Sequence, residues 1–250
     1  MTLPAAFLTI PLAHRAFHDR KAGRVENSLA SIQAAIDAGY GIEVDVQLTS
    51  DGHAVVFHDD ILDRLTTKTG PVRARNRAEL AATPLNDDPG MIPSLEAVLD
   101  LVAGQVPLLI EIKDQDGQMG PNIGQLETAT AKALTGYAGD VAVMSFNPHS
   151  VQRMSELAPG IARGITTSRY QPVHWPEVPP ATRDLLRLIP DYDRTGACFI
   201  SHEASDLNSP RVAELKAQGA QILCWTIRSP EAEAAARKVA QNVTFEGYRA

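Results

Sequence analysis

Eight short apolar runs, separated by segments of helical character, constrain the fold of this chain more than any other feature of its sequence. The runs span 9–14, 41–46, 106–112, 141–146, 161–166, 197–201, 221–227 and 243–248. Between them, helices are expected over 28–38, 94–103, 124–137, 148–157, 182–189, 210–218 and 230–240. Several of these open on Ser, Asn or Pro and close at Gly, the residues that helix ends prefer. Such alternation calls for parallel strands joined by helical crossovers. Eight units in 250 residues predict an α/β chain closed as a (β/α)8 TIM barrel, not an open doubly wound sheet, with residues 1–250 forming one domain.

One segment breaks the alternation. Residues 53–57 follow the second run after a turn containing Asp51-Gly52, a strong hairpin signal. A β-hairpin and insertion (51–92) are therefore expected after the second strand. The part from 61 to 92 is rich in Arg, Asp, Pro and Thr without strong periodicity, and its charged stretch from 64 to 77 reads as a solvated face.

The second run, GIEVDV, puts Glu43 and Asp45 on one face of a strand whose other face carries Ile42, Val44 and Val46. A buried carboxylate needs a cation, a basic partner or water. Folding the chain back about Asp51-Gly52 sets His58 roughly opposite Asp45. In a barrel the catalytic residues gather at the carboxyl ends of the strands, and His14-Arg15, Glu43-x-Asp45 and Glu111-x-Lys113 all fall there. Three converging carboxylates cannot all ionise without a counter-charge. Oxygen ligands alone favour one hard divalent cation, Mg²⁺ or Ca²⁺, over Zn²⁺.

The ordered set AHRA (13–16), EN (26–27), EVD (43–45), TSDG (49–52), HDD (58–60) and EIK (111–113), continued by MSF and CWTI in later strands, resembles the glycerophosphodiester phosphodiesterases of the bacterial, cytoplasmic type. The resemblance implies hydrolysis of glycerophosphodiesters to sn-glycerol 3-phosphate and an alcohol. It implies His14 and His58 as catalytic histidines, Glu43, Asp45 and Glu111 as metal ligands, and Arg15 and Lys113 as phosphate contacts. The chain departs from the family pattern at Ala16, where Gly usually follows His-Arg, and in FEGY, where Thr-Asp is often found. The chemistry is coherent on its own terms. A cation with Arg15 and Lys113 can neutralise a phosphodiester, while two imidazoles can deprotonate the nucleophile and protonate the leaving alcohol.

Other readings narrow the class. A net charge of −7 argues against nucleic acid as a partner, and no window nears the roughly 18 apolar residues of a membrane span. Cys198 and Cys224 lie in apolar runs and read as core, consistent with a reducing, cytoplasmic setting; a small-molecule phosphodiester is the expected partner, with no stable membrane association. The N-terminal stretch reads as a lead-in to the first strand. His18, His53, His149, His174 and His202 read as surface or loop residues, and Trp225 as core. The Pro-rich segment 168–180 reads as a stiff aromatic wall on the catalytic face. A lysophospholipase D-type lipid phosphodiesterase would call for a membrane-binding helix or polybasic patch, and neither is evident. A non-catalytic phosphodiester-binding barrel would be expected to have lost a histidine or a carboxylate, and all five are retained.

Overall fold

A computed structural model describes residues 2–250. Eight parallel strands close into a barrel: β1 (Leu12–Ala13), β2 (Gly41–Leu48), β4 (Leu108–Ile112), β5 (Val141–Ser145), β6 (Ala162–Thr167), β7 (Phe199–Glu203), β8 (Gln221–Ile227) and β9 (Asn242–Phe245). The ring runs in chain order and closes where β1 pairs with both β2 and β9. The ninth strand, β3 (Ala54–Val56), is antiparallel to β2, with Val46 opposite Val56. Val46 also pairs with Ile112 of β4, so β3 takes the other edge of β2, beyond the short β1. The barrel and its hairpin are as the sequence led one to expect.

Helices α2 (Leu29–Ala38), α3 (Arg77–Ala81), α4 (Leu95–Val102), α5 (Gln125–Ala133), α6 (Pro148–Leu157), α7 (Pro180–Leu186), α8 (Pro210–Ala217) and α9 (Pro230–Ala236) follow, all but α3 serving as crossovers. Local chemistry sets their starts. Ser28, Ser94, Ser209 and Ser229 each cap a helix through the side-chain oxygen, and α2 stops at Gly39, whose φ of 72° a side chain would oppose. The outward strand face, with Ile42, Val44, Val46, Ile110 and Ile200, packs against the inner helix faces in the main core.

The inward face is smaller and is sealed from below. Leu12, Leu109, Phe199 and Leu223 fill the lower barrel together with Leu3 and Phe7. Phe7 belongs to a short helix, α1 (Ala6–Thr9), and Asn242 donates to the carbonyls of Phe7 and Ile10 at 2.8 and 2.6 Å. The N-terminal stretch is thus a floor to the barrel instead of a plain lead-in. The first expected strand shrinks to two residues because Pro11 supplies no amide donor and the chain turns at Arg15 and Ala16, with φ of 54° and 65°. Helix α7 begins two residues ahead of expectation, at the Pro179-Pro180 pair suited to a helix start.

The insertion is not wholly a solvated face. Phe57, Leu62, Leu65, Val72, Leu80 and Ile92 form a buried satellite cluster under it. That cluster fixes the loop carrying His58.

Candidate active site

Strand alternation sends Glu43 and Asp45 of β2, and Glu111 of β4, into the barrel above the apolar floor, and all three are buried. Oxygens from the three lie within 4.8 Å of one another. Donor oxygens around one Mg²⁺ or Ca²⁺ are separated by about 3–5 Å given metal–oxygen distances of about 2.0–2.6 Å, so the set fits a hard divalent cation. Lys113 spans two of the acids, with Nζ 2.8 Å from Glu111 Oε1 and 3.3 Å from Asp45 Oδ1. Burial raises the Glu43 carboxyl well above its ordinary range, and Asp45 and Glu111 add to the rise. Burial would do the same to Asp45, but Lys113, His58 and Arg15 more than reverse it and hold that carboxylate low. Lys113 is lifted above the ordinary lysine range because Glu111 and Asp45 outweigh its desolvation. Lys113 and Arg15 thus offset two of the three acids, and the third, Glu43, lacks a counter-charge that a cation would supply.

All seven residues singled out in the sequence, His14, Arg15, Glu43, Asp45, His58, Glu111 and Lys113, line one cavity of about 180 Å³ at the carboxyl end of the strands. The left-handed turn at Arg15 and Ala16 aims the Arg15 amide at Glu43 Oε2, 2.8 Å away, and the Ala16 amide at the Glu43 carbonyl, 2.9 Å away. The turn usual with glycine is thus kept with alanine. Asn27 steadies Asp45 by donating from Nδ2 to Oδ2 at 2.9 Å. Two polar atoms of the lining, Arg15 Nε and Thr244 Oγ1, are buried without a hydrogen-bond partner.

Each histidine is held from behind by a carboxylate. His14 Nδ1 lies 2.6 Å from Glu246 Oε2, and Arg228 donates to Glu246 Oε1 at 2.7 Å. His58 Nδ1 lies 2.7 Å from Asp59 Oδ1, and Arg64 binds Asp59 and Glu26, which in turn holds Arg15. With Nδ1 donating to a carboxylate, Nε2 is left free to accept or deliver a proton. Hydrogen bonds from His14 and then His18 hold Glu246 far below its usual range. Burial would raise Asp59, but His58 and Arg64 keep it low. Burial lowers the His14 imidazole despite the opposing pull of Glu246.

The hairpin register puts Phe57, not His58, against Asp45, their backbone bond being 3.0 Å, and His58 reaches the cavity from the next position. Three further readings change. His202 is buried on β7, bonded to Thr167 Oγ1 at 2.7 Å, because it shares the outward face of Ile200. Trp225 faces inward with Leu223 and lines the cavity. Arg64 lies in a buttress, not on a bare solvated face. Glu246 was flagged in the sequence only as a departure in FEGY.

The sequence model of the glycerophosphoryl diester phosphodiesterase family matches residues 14–244. The chain belongs to this family. As a member of the glycerophosphoryl diester phosphodiesterase family it is an enzyme, a phosphoric diester hydrolase. YhdW of Bacillus subtilis (strain 168), provisionally named as a glycerophosphodiester phosphodiesterase, is 30% identical over 218 residues, covering 84% of this chain and 83% of its own. A glycerophosphodiester phosphodiesterase of Caldanaerobacter subterraneus is 34% identical over 167 residues, covering 63% of this chain and 66% of that one. The fold matches an Oleispira antarctica phosphodiesterase, solved with its product sn-glycerol-3-phosphate, at a TM-score of 0.74 and 24% identity over 96% of this chain and 94% of that one. No helix among the described residues is long and apolar enough to cross a membrane.

Proposed function

We infer that the protein hydrolyses glycerophosphodiesters to sn-glycerol 3-phosphate and an alcohol, using one divalent cation, Mg²⁺ or Ca²⁺, and acid-base catalysis by His14 and His58. The observation that carries this reading is the meeting of both histidines, three acids and two bases on one small cavity. The product named for the Oleispira antarctica relative supports the same class of substrate. Glu43, Asp45 and Glu111 would hold the cation, and a bound cation supplies positive charge for the phosphoryl oxygens. Arg15, whose Nε–H makes no hydrogen bond, and Lys113 bind and orient the anionic phosphate. His14 and His58, each bound at Nδ1, keep Nε2 for the chemistry and divide the two proton transfers between the attacking and leaving oxygens. A small phosphodiester as substrate, with no nucleic acid partner, accords with the net charge of −7.

Incubation with a panel of glycerophosphodiesters and one lysophospholipid, with and without chelator, tests the reading. Cation-dependent release of sn-glycerol 3-phosphate from the diesters is expected. Release from the lysophospholipid alone would move the protein to the lipid phosphodiesterases, and no release from any of them would leave only a binding barrel.

Glu246 acts here as a positioning residue for His14. Glu246→Gln keeps an oxygen near Nδ1 but removes the charge, so kcat is expected to fall about 10- to 100-fold, by analogy with loss of the carboxylate behind a metal-bound histidine. Because Glu246 raises the His14 imidazole, its neutralisation should also move the limb of the pH–rate profile that titrates His14 to lower pH. A lower kcat with an unmoved profile would mark Glu246 as a structural contact only.

A further inference from the structure

A second compartment, of about 390 Å³, opens from the catalytic cavity over His58 and Lys113. Its walls are aromatic and acidic. Phe146 sits between two indoles, its ring centroid 4.7 Å from that of Trp175 and 5.5 Å from that of Trp225. Tyr170, fully buried, packs 5.1 Å from Trp175 and fixes its ring against the barrel top. Tyr170 is therefore the pin of the 168–180 segment, and the half-buried Trp175 is its wall toward the compartment.

Besides Glu111 of the catalytic cavity, three carboxylates join the lining: Asp60, Asp114 and Glu177. Asp60 accepts from the Gln47 amide, and Asp114 from Asn147 and from loop amides. These donors are neutral, and neither carboxylate forms an ion pair among the described residues. Glu177 forms no ion pair among the described residues. The charge of the nearby Lys113 ammonium is offset by Glu111 and Asp45. A different compartment, of about 460 Å³, adjoins the cavity across Thr226 and Arg228; Trp175 and Trp225 line it as well as the first, and it adds Ser168, Gln171, Glu203 and Ser205. A diester has two arms, and these two compartments differ in chemistry. Phe146 and Glu177 line only the first and Arg228 only the second, so a methylated cation suits the first, where the third ring and the added negative charge attract it, and glycerol hydroxyls suit the second.

Resting on the phosphodiesterase reading above, we propose that the aromatic compartment holds the leaving alcohol and selects alcohols that end in a quaternary ammonium group. Phe146, Trp175 and Trp225 contact the methyl groups, and Glu177 at the rim supplies long-range charge. The bridging phosphate stays over Arg15 and Lys113, and the glycerol arm lies toward Ser168 and Ser205.

The test compares glycerophosphocholine with glycerophosphoglycerol for the wild type, Trp175→Ala and Glu177→Lys. Trp175→Ala should lose about 3- to 30-fold in kcat/KM on the choline diester, the range of a cation–π contact, and at least threefold more than on the glycerol diester. Glu177→Lys, a rim change remote from the core, should shift selectivity the same way. Calorimetric titration with tetramethylammonium chloride should show saturable binding to the wild type that Trp175→Ala weakens. Equal losses on both diesters, or no tetramethylammonium binding, would overturn the head-group assignment while leaving the phosphodiesterase reading intact. A wild type that hydrolyses neither diester would overturn both.

Discussion

Replacing His14 or His58 by alanine is expected to lower kcat by about 10²–10⁴-fold while cation binding persists, the size of loss usual for a proton-transfer group. Both rings line the cavity, yet neither belongs to the three-carboxylate cluster, and each is bound at Nδ1 to its own acid. Steady-state kinetics joined to calorimetric cation titration separate the two properties. A variant that keeps full turnover on the best diester would demote its histidine to structure. A variant that loses the cation along with its turnover would place that histidine among the ligands.

Glu43→Ala, Asp45→Ala and Glu111→Ala are each expected to weaken Mg²⁺ or Ca²⁺ binding by more than about 100-fold, since loss of even an outer partner of a metal ligand costs about 10- to 100-fold. Each removes an oxygen from a set whose members lie within 4.8 Å. The charge balance makes the loss steeper at Asp45. Its removal leaves Arg15 and Lys113 facing only two acids, of which Glu43 is the one whose ionisation burial opposes most openly. Activity should fall with affinity and be recovered in part at high cation concentration. Unchanged affinity in all three variants would remove the cluster as a cation site.

The eight strands and seven cavity residues were legible because each signal is local. A strand with two acids on one face, or Glu-Ile-Lys at a strand end, reads the same in sequence and in space. The partners of the histidines are not local. Glu246 reaches His14 across 232 residues, and only closure of the ring sets them side by side. Arg64 reads as one charge in a charged insertion until the satellite cluster around Leu62 and Leu65 turns it toward Asp59 and Glu26. His202 was misplaced for a different reason. Period-two alternation from Ile200 already puts it on the covered face of β7, but a lone histidine in FISHE carries no apolar signal of its own.

The pairing of His14 with Glu246 ties chemistry to the order in which the chain folds. The β2–β4 contact joins segments about 65 residues apart, whereas β1 must find β9 across nearly the whole chain, and distant pairings form late because loop closure opposes them. Before that last seam forms, the acidic cluster and most helices can already be in place, yet His14 has no carboxylate behind it. Recovery of turnover after dilution from denaturant should therefore lag the return of helical circular dichroism, and the lag times the closing of the ring.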